Sequence, residues 1–172
     1  TSSPAHAETV TVSTLSCTDS TSGPSTATTD AGRASIFTAP TTGTLDSIDL
    51  VVSKISDTPT EDLIVRVVPA SFVALDELPT SLDELTVLGQ TALSAATMPS
   101  SGPDINQLTS GTFTGVQVES GADYAVLFGS ASDPYRTPGG AAYSVWVGDE
   151  CGGKGRRFID DPSLGWFNWR YS

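Results

Sequence analysis

Gly43-Thr44-Leu45-Asp46-Ser47-Ile48-Asp49-Leu50-Val51-Val52-Ser53-Lys54 is the stretch whose pattern decides the fold class. Ile48, Leu50 and Val52 stand two positions apart, and a pleated backbone puts such residues on one face. Thr44 to Lys54 is therefore read as the longest strand of the chain, entered from the turn Thr41-Thr42-Gly43. Upstream, Ala34 to Thr38 is a shorter strand ended by Pro40, and Thr9 to Ser16 is a first strand with Val10 and Val12 on one face. The polar residues Thr18 to Gly32 between those two are expected to form a loop.

Downstream, Asp57 to Thr60 reads as a turn, and Asp62 to Pro69 as a strand. Its run Leu63-Ile64-Val65-Arg66-Val67-Val68 is almost continuously apolar, which suits a strand buried on both faces or at a sheet centre. Leu75, Leu78, Leu82 and Leu85 recur among acids, so residues 70–86 are expected to hold one short amphipathic helix or a structured insertion. Further strands are read at Thr86 to Ser94, Gly111 to Val118, Tyr124 to Gly129, Ala142 to Val147 and Trp166 to Tyr171. No segment keeps helical spacing for three turns. The expectation is all-β: a jelly-roll-like β-sandwich of eight or nine antiparallel strands.

A chain of 172 residues is long enough for one domain with a real core. Residues 8–172 are read as that single domain. Ala5-His6-Ala7 has the small-x-small form that signal peptidase cuts, so residues 1–7 are read as the residue of an export signal, and the protein as secreted or displayed on a cell surface. Cys17 and Cys151 have no CxxC spacing and no third or fourth thiol to hold zinc, so in an exported chain they most simply pair. A loop of that length would contribute about 4 to 5 kcal/mol on the chain-entropy view.

The net charge of -12, from 20 acidic and 8 basic side chains, repels phosphate backbones and anionic head groups. Nucleic acid is thus an unsuitable partner. No apolar run reaches the 18 residues that membrane insertion as a helix would need.

Several pieces, in order, resemble secreted bacterial and phage-borne jelly-roll domains of the choice-of-anchor type. They are Ile36-Phe37-Thr38-Ala39-Pro40, the Gly43 to Val52 stretch, Leu63 to Val68, Leu88-Gly89-Gln90, Gly111-Thr112-Phe113, Gly121 to Leu127 and Trp169-Arg170-Tyr171. The resemblance implies the same fold over residues 34–171, with structural roles for Phe37, Leu45, Phe113, Tyr124 and Trp169. It brings no catalytic set. The acidic insert and the cysteine pair depart from that pattern.

The only histidine, His6, lies in the presumed leader, which leaves no imidazole to activate a serine or cysteine within the fold. A glycoside hydrolase would need two carboxylates facing across a cleft about 5 to 9.5 Å apart. Of the glutamates only Glu119 adjoins an obvious strand. Gly152-Gly153-Lys154-Gly155-Arg156-Arg157 lacks the setting of a phosphate loop and is read as a turn. The expectation is a protein that is not an enzyme and has no cofactor apart from a possible structural calcium, held by Asp57, Glu61 and Asp62.

Aromatics give the recognition hint. In Tyr143-Ser144-Val145-Trp146-Val147 the alternation sets Trp146 opposite a valine face, and in Trp166-Phe167-Asn168-Trp169-Arg170-Tyr171 it groups Trp166, Asn168 and Arg170 outward. Sugar rings stack on exposed indoles. Trp146, Trp166, Tyr135, Asn168 and Arg170 are therefore the candidate ligand residues of a glycan-binding module. The alternatives are a module of a surface or phage assembly that contacts protein alone and, third, the hydrolase.

Overall fold

A computed structural model describes residues 9–13, 23–27, 32–55, 60–73, 81–100, 108–137, 143–147 and 155–159. The protein is all-β. Its strands are β1 (Thr9–Ser13), β2 (Gly23–Ala27), β3 (Gly32–Thr38), β4 (Gly43–Lys54), β5 (Leu63–Pro69), β6 (Gly89–Leu93), β7 (Leu108–Val118), β8 (Asp123–Gly129), β9 (Tyr143–Val147) and β10 (Gly155–Ile159). They form two five-stranded sheets.

In the first sheet β2, β9, β4 and β7 pair in succession, and in the second β3, β8, β5 and β6 do the same. The pairs β5 with β6, β4 with β7, β3 with β8 and β2 with β9 nest inside one another, all antiparallel. A long hairpin rolled so that successive strand pairs fall alternately in two layers gives this order, which is the jelly roll. β10 adds to β3 antiparallel, and β1 adds to β4 parallel.

Between the layers lies the main core. Leu45, Ile48, Leu50 and Val52 of β4 face Leu63, Val65 and Val67 of β5, with Phe113, Val116 and Val118 of β7 and Val126 and Phe128 of β8. Phe37 and Tyr124, directly opposed in the β3–β8 register, stack at 5.6 Å between ring centroids. Four of the residues to which the resemblance gave structural roles, Phe37, Leu45, Phe113 and Tyr124, are buried here, and Trp169 lies outside the described residues.

Two local devices shape β4 and β7. Leu45 pairs with Val116 but Ser47 with Thr112, so the strands bulge there, and Gly115 adopts φ 73° as the extra residues turn. At the β7–β8 connection, Glu119 to Ala122 makes a tight turn with the Ala122 N–H donating to the Glu119 carbonyl at 3.0 Å. Gly121, at φ 80°, takes the left-handed position that this turn demands.

Four expectations change. Ten strands are described rather than eight or nine, and one pair is parallel. β2 lies inside the expected polar loop: Gly-Pro-Ser-Thr-Ala carries no alternation, but it pairs with β9, and its proline is tolerated in a strand that bonds along one side. β10 includes Gly155 to Arg157, expected as part of a turn. Residues 70–86 hold no α-helix among the described positions, only 3-10 turns at Ala70–Val73 and Leu82–Glu84. Pro79 stands in the middle of the leucine series, where it would interrupt a helix.

Candidate functional site

The two outer faces of the sandwich differ. On the second sheet, Ala34, Ile36, Val68, Ala125 and Leu127 form a second apolar cluster covered by Ala70, Phe72 and Leu85 of the insert and by Val87 just after it. β5 and β8 are thereby buried on both sides, as the unbroken apolar run of β5 leads one to expect.

Arg66 interrupts that run, and its register with Leu127 places it on this covered face. It is only 1% exposed. One Nη donates to the Ser130 carbonyl at 2.6 Å, and the other lies 3.2 and 3.4 Å from the carbonyls of Asp133 and Pro134. A desolvated guanidinium is tolerated when its donors meet acceptors, as both Nη groups do here, while the buried Nε meets none among the described residues. Burial lowers the Arg66 pKa and nearby Asp133 opposes that shift.

The loop that supplies those carbonyls is itself tightly organised. Ser130 Oγ accepts the Asp133 N–H at 3.0 Å, and Asp133 Oδ1 accepts the N–H groups of Tyr135 and Arg136 at 3.0 and 2.9 Å. The chain must double back closely at Gly129, where a Cβ would come within 2.6 Å of the Pro134 carbonyl oxygen. Tyr135 is 4% exposed, with the Arg136 guanidinium 5.3 Å from its ring centre. Burial raises its pKa, Arg136 draws it down, and Asp133 and Glu84 add to the rise. Expected as a loop contact to a ligand, Tyr135 is instead buried where Asp133 folds the loop back.

The first sheet presents polar residues along β7 by contrast. Asp46 on β4 and Ser110, Thr112, Thr114 and Gln117 on β7 are exposed, alternating with the core residues Phe113, Val116 and Val118. Ser47 pairs with Thr112, and Gln117 donates to Thr44 Oγ1 at 3.0 Å, so the hydroxyls lie side by side across the strands. Toward β9, Ser53 is opposite Ser144; its hydroxyl is buried and finds no partner among the described residues. Trp146 follows two residues after Ser144, with its backbone in register with Pro24. Tyr143 is buried in the core, and its hydroxyl donates to the Glu61 carbonyl. Burial raises its pKa, with Asp62 and Glu61 adding to the effect.

The remaining sequence candidates divide as follows. Trp166, Asn168, Arg170, Asp57 and both cysteines, hence the expected disulfide, lie outside the described residues. Glu61 and Asp62 are exposed at the start of β5, and Asp62 Oδ1 accepts the Ala95 N–H at 3.1 Å. Among the described residues no three metal-binding side chains gather, and no helix is long and apolar enough to cross a membrane. The Arg66 loop was missed by sequence reasoning, although a charge inside an apolar strand is a signal that something must come to meet it.

No protein-family model, curated protein or solved structure matches the chain.

Proposed function

We propose that this jelly-roll domain is a non-catalytic, exported module that holds an extracellular glycan on the outer face of its first sheet. The observation that carries the reading is a difference between the described outer faces: on the second sheet Phe72, Leu85 and the Arg66 loop lie over an apolar cluster, and on the first sheet β7 presents Ser110, Thr112, Thr114 and Gln117 to solvent. Hydroxyl and amide groups in rows can exchange hydrogen bonds with sugar hydroxyls, and a net charge of -12 suits a neutral ligand better than an anionic one. Trp146 extends this surface in the reading, since the odd spacing from the core residue Tyr143 is the spacing that separates the two faces of a strand.

The test is a glycan array and pull-down on insoluble polysaccharides, repeated with Trp146→Ala, Trp166→Ala and Thr112→Glu. Binding that drops at least tenfold in Trp146→Ala and Thr112→Glu supports the reading. Undiminished binding in both, or no binding to any glycan, removes it.

A further inference from the structure

We propose that Cys17 and Cys151 form a disulfide that fastens β2 and β10, the two strands whose own sequences do least to hold them in place. The ground for it is the β2–β9 register. Gly23, the first residue of β2, pairs with Val147, the last of β9. The chain entering β2 and the chain leaving β9 therefore meet at one end of one antiparallel ladder, with opposed Cα atoms about 5 Å apart. Cys17 stands six positions before Gly23 in the chain, and Cys151 four after Val147. Carried past the end of the ladder, the same register would set position 151 against position 19, two from Cys17. A pairing built without the thiols thus delivers both of their connectors to the same place. Bond formation passes two electrons and two protons from the two thiols to a disulfide donor such as oxidised glutathione, which leaves as two thiols.

β2 and β10 are the strands that need such a bond. Gly23-Pro24-Ser25-Thr26-Ala27 offers no large apolar side chain, and Pro24 has no N–H to give to a ladder. Gly155-Arg156-Arg157-Phe158-Ile159 opens on a glycine and two arginines. Among the described strands β2 pairs with β9 alone, and β10 with β3 alone. Residues 148–154 join Val147 to β10, whereas a cross-link at Cys151 leaves only residues 152–154 as its tether. Loop closure varies with about the three-halves power of length, so the shorter tether favours docking on β3 about three- to fourfold. For β2 the bond closes the ladder at its Gly23–Val147 end, and the two strands can part only as far as the short connectors allow. The inference rests on strand pairing and does not depend on the glycan reading.

The full chain is refolded in a glutathione buffer, alkylated without reduction and digested. A peptide pair joined through Cys17 and Cys151 is expected, and alkylated thiols at both positions would overturn the proposal. Amide exchange then compares the parent with Cys17→Ala/Cys151→Ala, and with that variant re-linked by Thr26→Cys and Ser144→Cys. Positions 26 and 144 stand opposed in the β2–β9 register, within reach of a disulfide. In the cysteine-free chain, exchange at residues 23–27 and 155–159 should quicken about threefold or more. The re-linked chain closes a loop of similar length and so recovers the overall stability, which separates tethering from general stabilisation. Its β2 should exchange at the parent rate, while its β10 stays about threefold faster than in the parent. If the cysteine-free chain does not fold, the comparison of the re-linked chain with the parent decides alone. Parent-like exchange of both strands in the cysteine-free chain, or recovery of β10 along with β2 in the re-linked one, would also overturn the proposal.

Discussion

Arg66 shows how a residue that contradicts its neighbours is reconciled with them. It sits within Leu-Ile-Val-Arg-Val-Val on a strand buried on both sides, and three backbone carbonyls of the 130–134 segment converge on its guanidinium. The dependence is mutual, because the carbonyls have been taken out of water as well. Arg66→Ala should therefore cost about 3 kcal/mol, from stranded acceptors and the cavity left behind. Arg66→Lys should recover only part of that loss, since an ammonium lacks the planar fork that spans two acceptor directions. Urea denaturation of both variants against the parent checks the order. If Arg66→Ala were as stable as the parent, the loop would not be what keeps the buried charge tolerable.

The insert is the element that makes the two faces different. Phe72 and Leu85, from its two 3-10 turns and their flank, lie against Val68 and Leu127 of the sheet. Phe72→Ala should lower stability by about 1–2 kcal/mol, below the range for a fully buried ring because Phe72 is half-buried. The check is the same denaturation assay, with native dichroism retained.

Elements of this kind also mark the boundary of what the sequence makes legible. β4, β5, β7 and β8 declare themselves by period-two alternation or by continuous apolar runs, since the core they build is large and one-sided or two-sided in a way that sequence records. β2 and β10, Gly-Pro-Ser-Thr-Ala and Gly-Arg-Arg-Phe-Ile, lack that alternation, and their place is set by partners distant in sequence. The leucine series of the insert has helical spacing, yet Pro79 stands within it, and its described residues form only 3-10 turns at Ala70–Val73 and Leu82–Glu84. For the site, Trp146 on a strand was legible from alternation. The burial of Tyr135 was not, because it depends on Asp133 folding the loop through two backbone N–H groups, a tertiary matter that no periodicity encodes.

For the whole molecule, buried tyrosines set the alkaline limit of stability. Burial raises the pKa of both Tyr135 and Tyr143 in the folded protein, whereas an unfolded chain releases tyrosine protons near pH 10. Below that pH both states hold the protons and the groups add no pH dependence. Above it the unfolded state binds fewer protons than the folded one, so stability falls as pH rises toward the folded-state pKa values. Denaturation midpoints should be level up to about pH 9 and decline above about 10, and Tyr143→Phe should decline less steeply. A parent and a Tyr143→Phe variant with equal slopes would remove that tyrosine from the effect.

On the glycan reading, the exposed polar row of β7 and the covered face of the second sheet together predict where a ligand meets the protein. Amide chemical-shift mapping of the full chain with the best soluble oligosaccharide from the array should show changes concentrated on Thr44–Ser53, Ser110–Gln117 and Tyr143–Val147. Changes centred instead on Ala70–Val73, Leu82–Leu88 or Ser130–Thr137, with the first sheet unmoved, would contradict the reading.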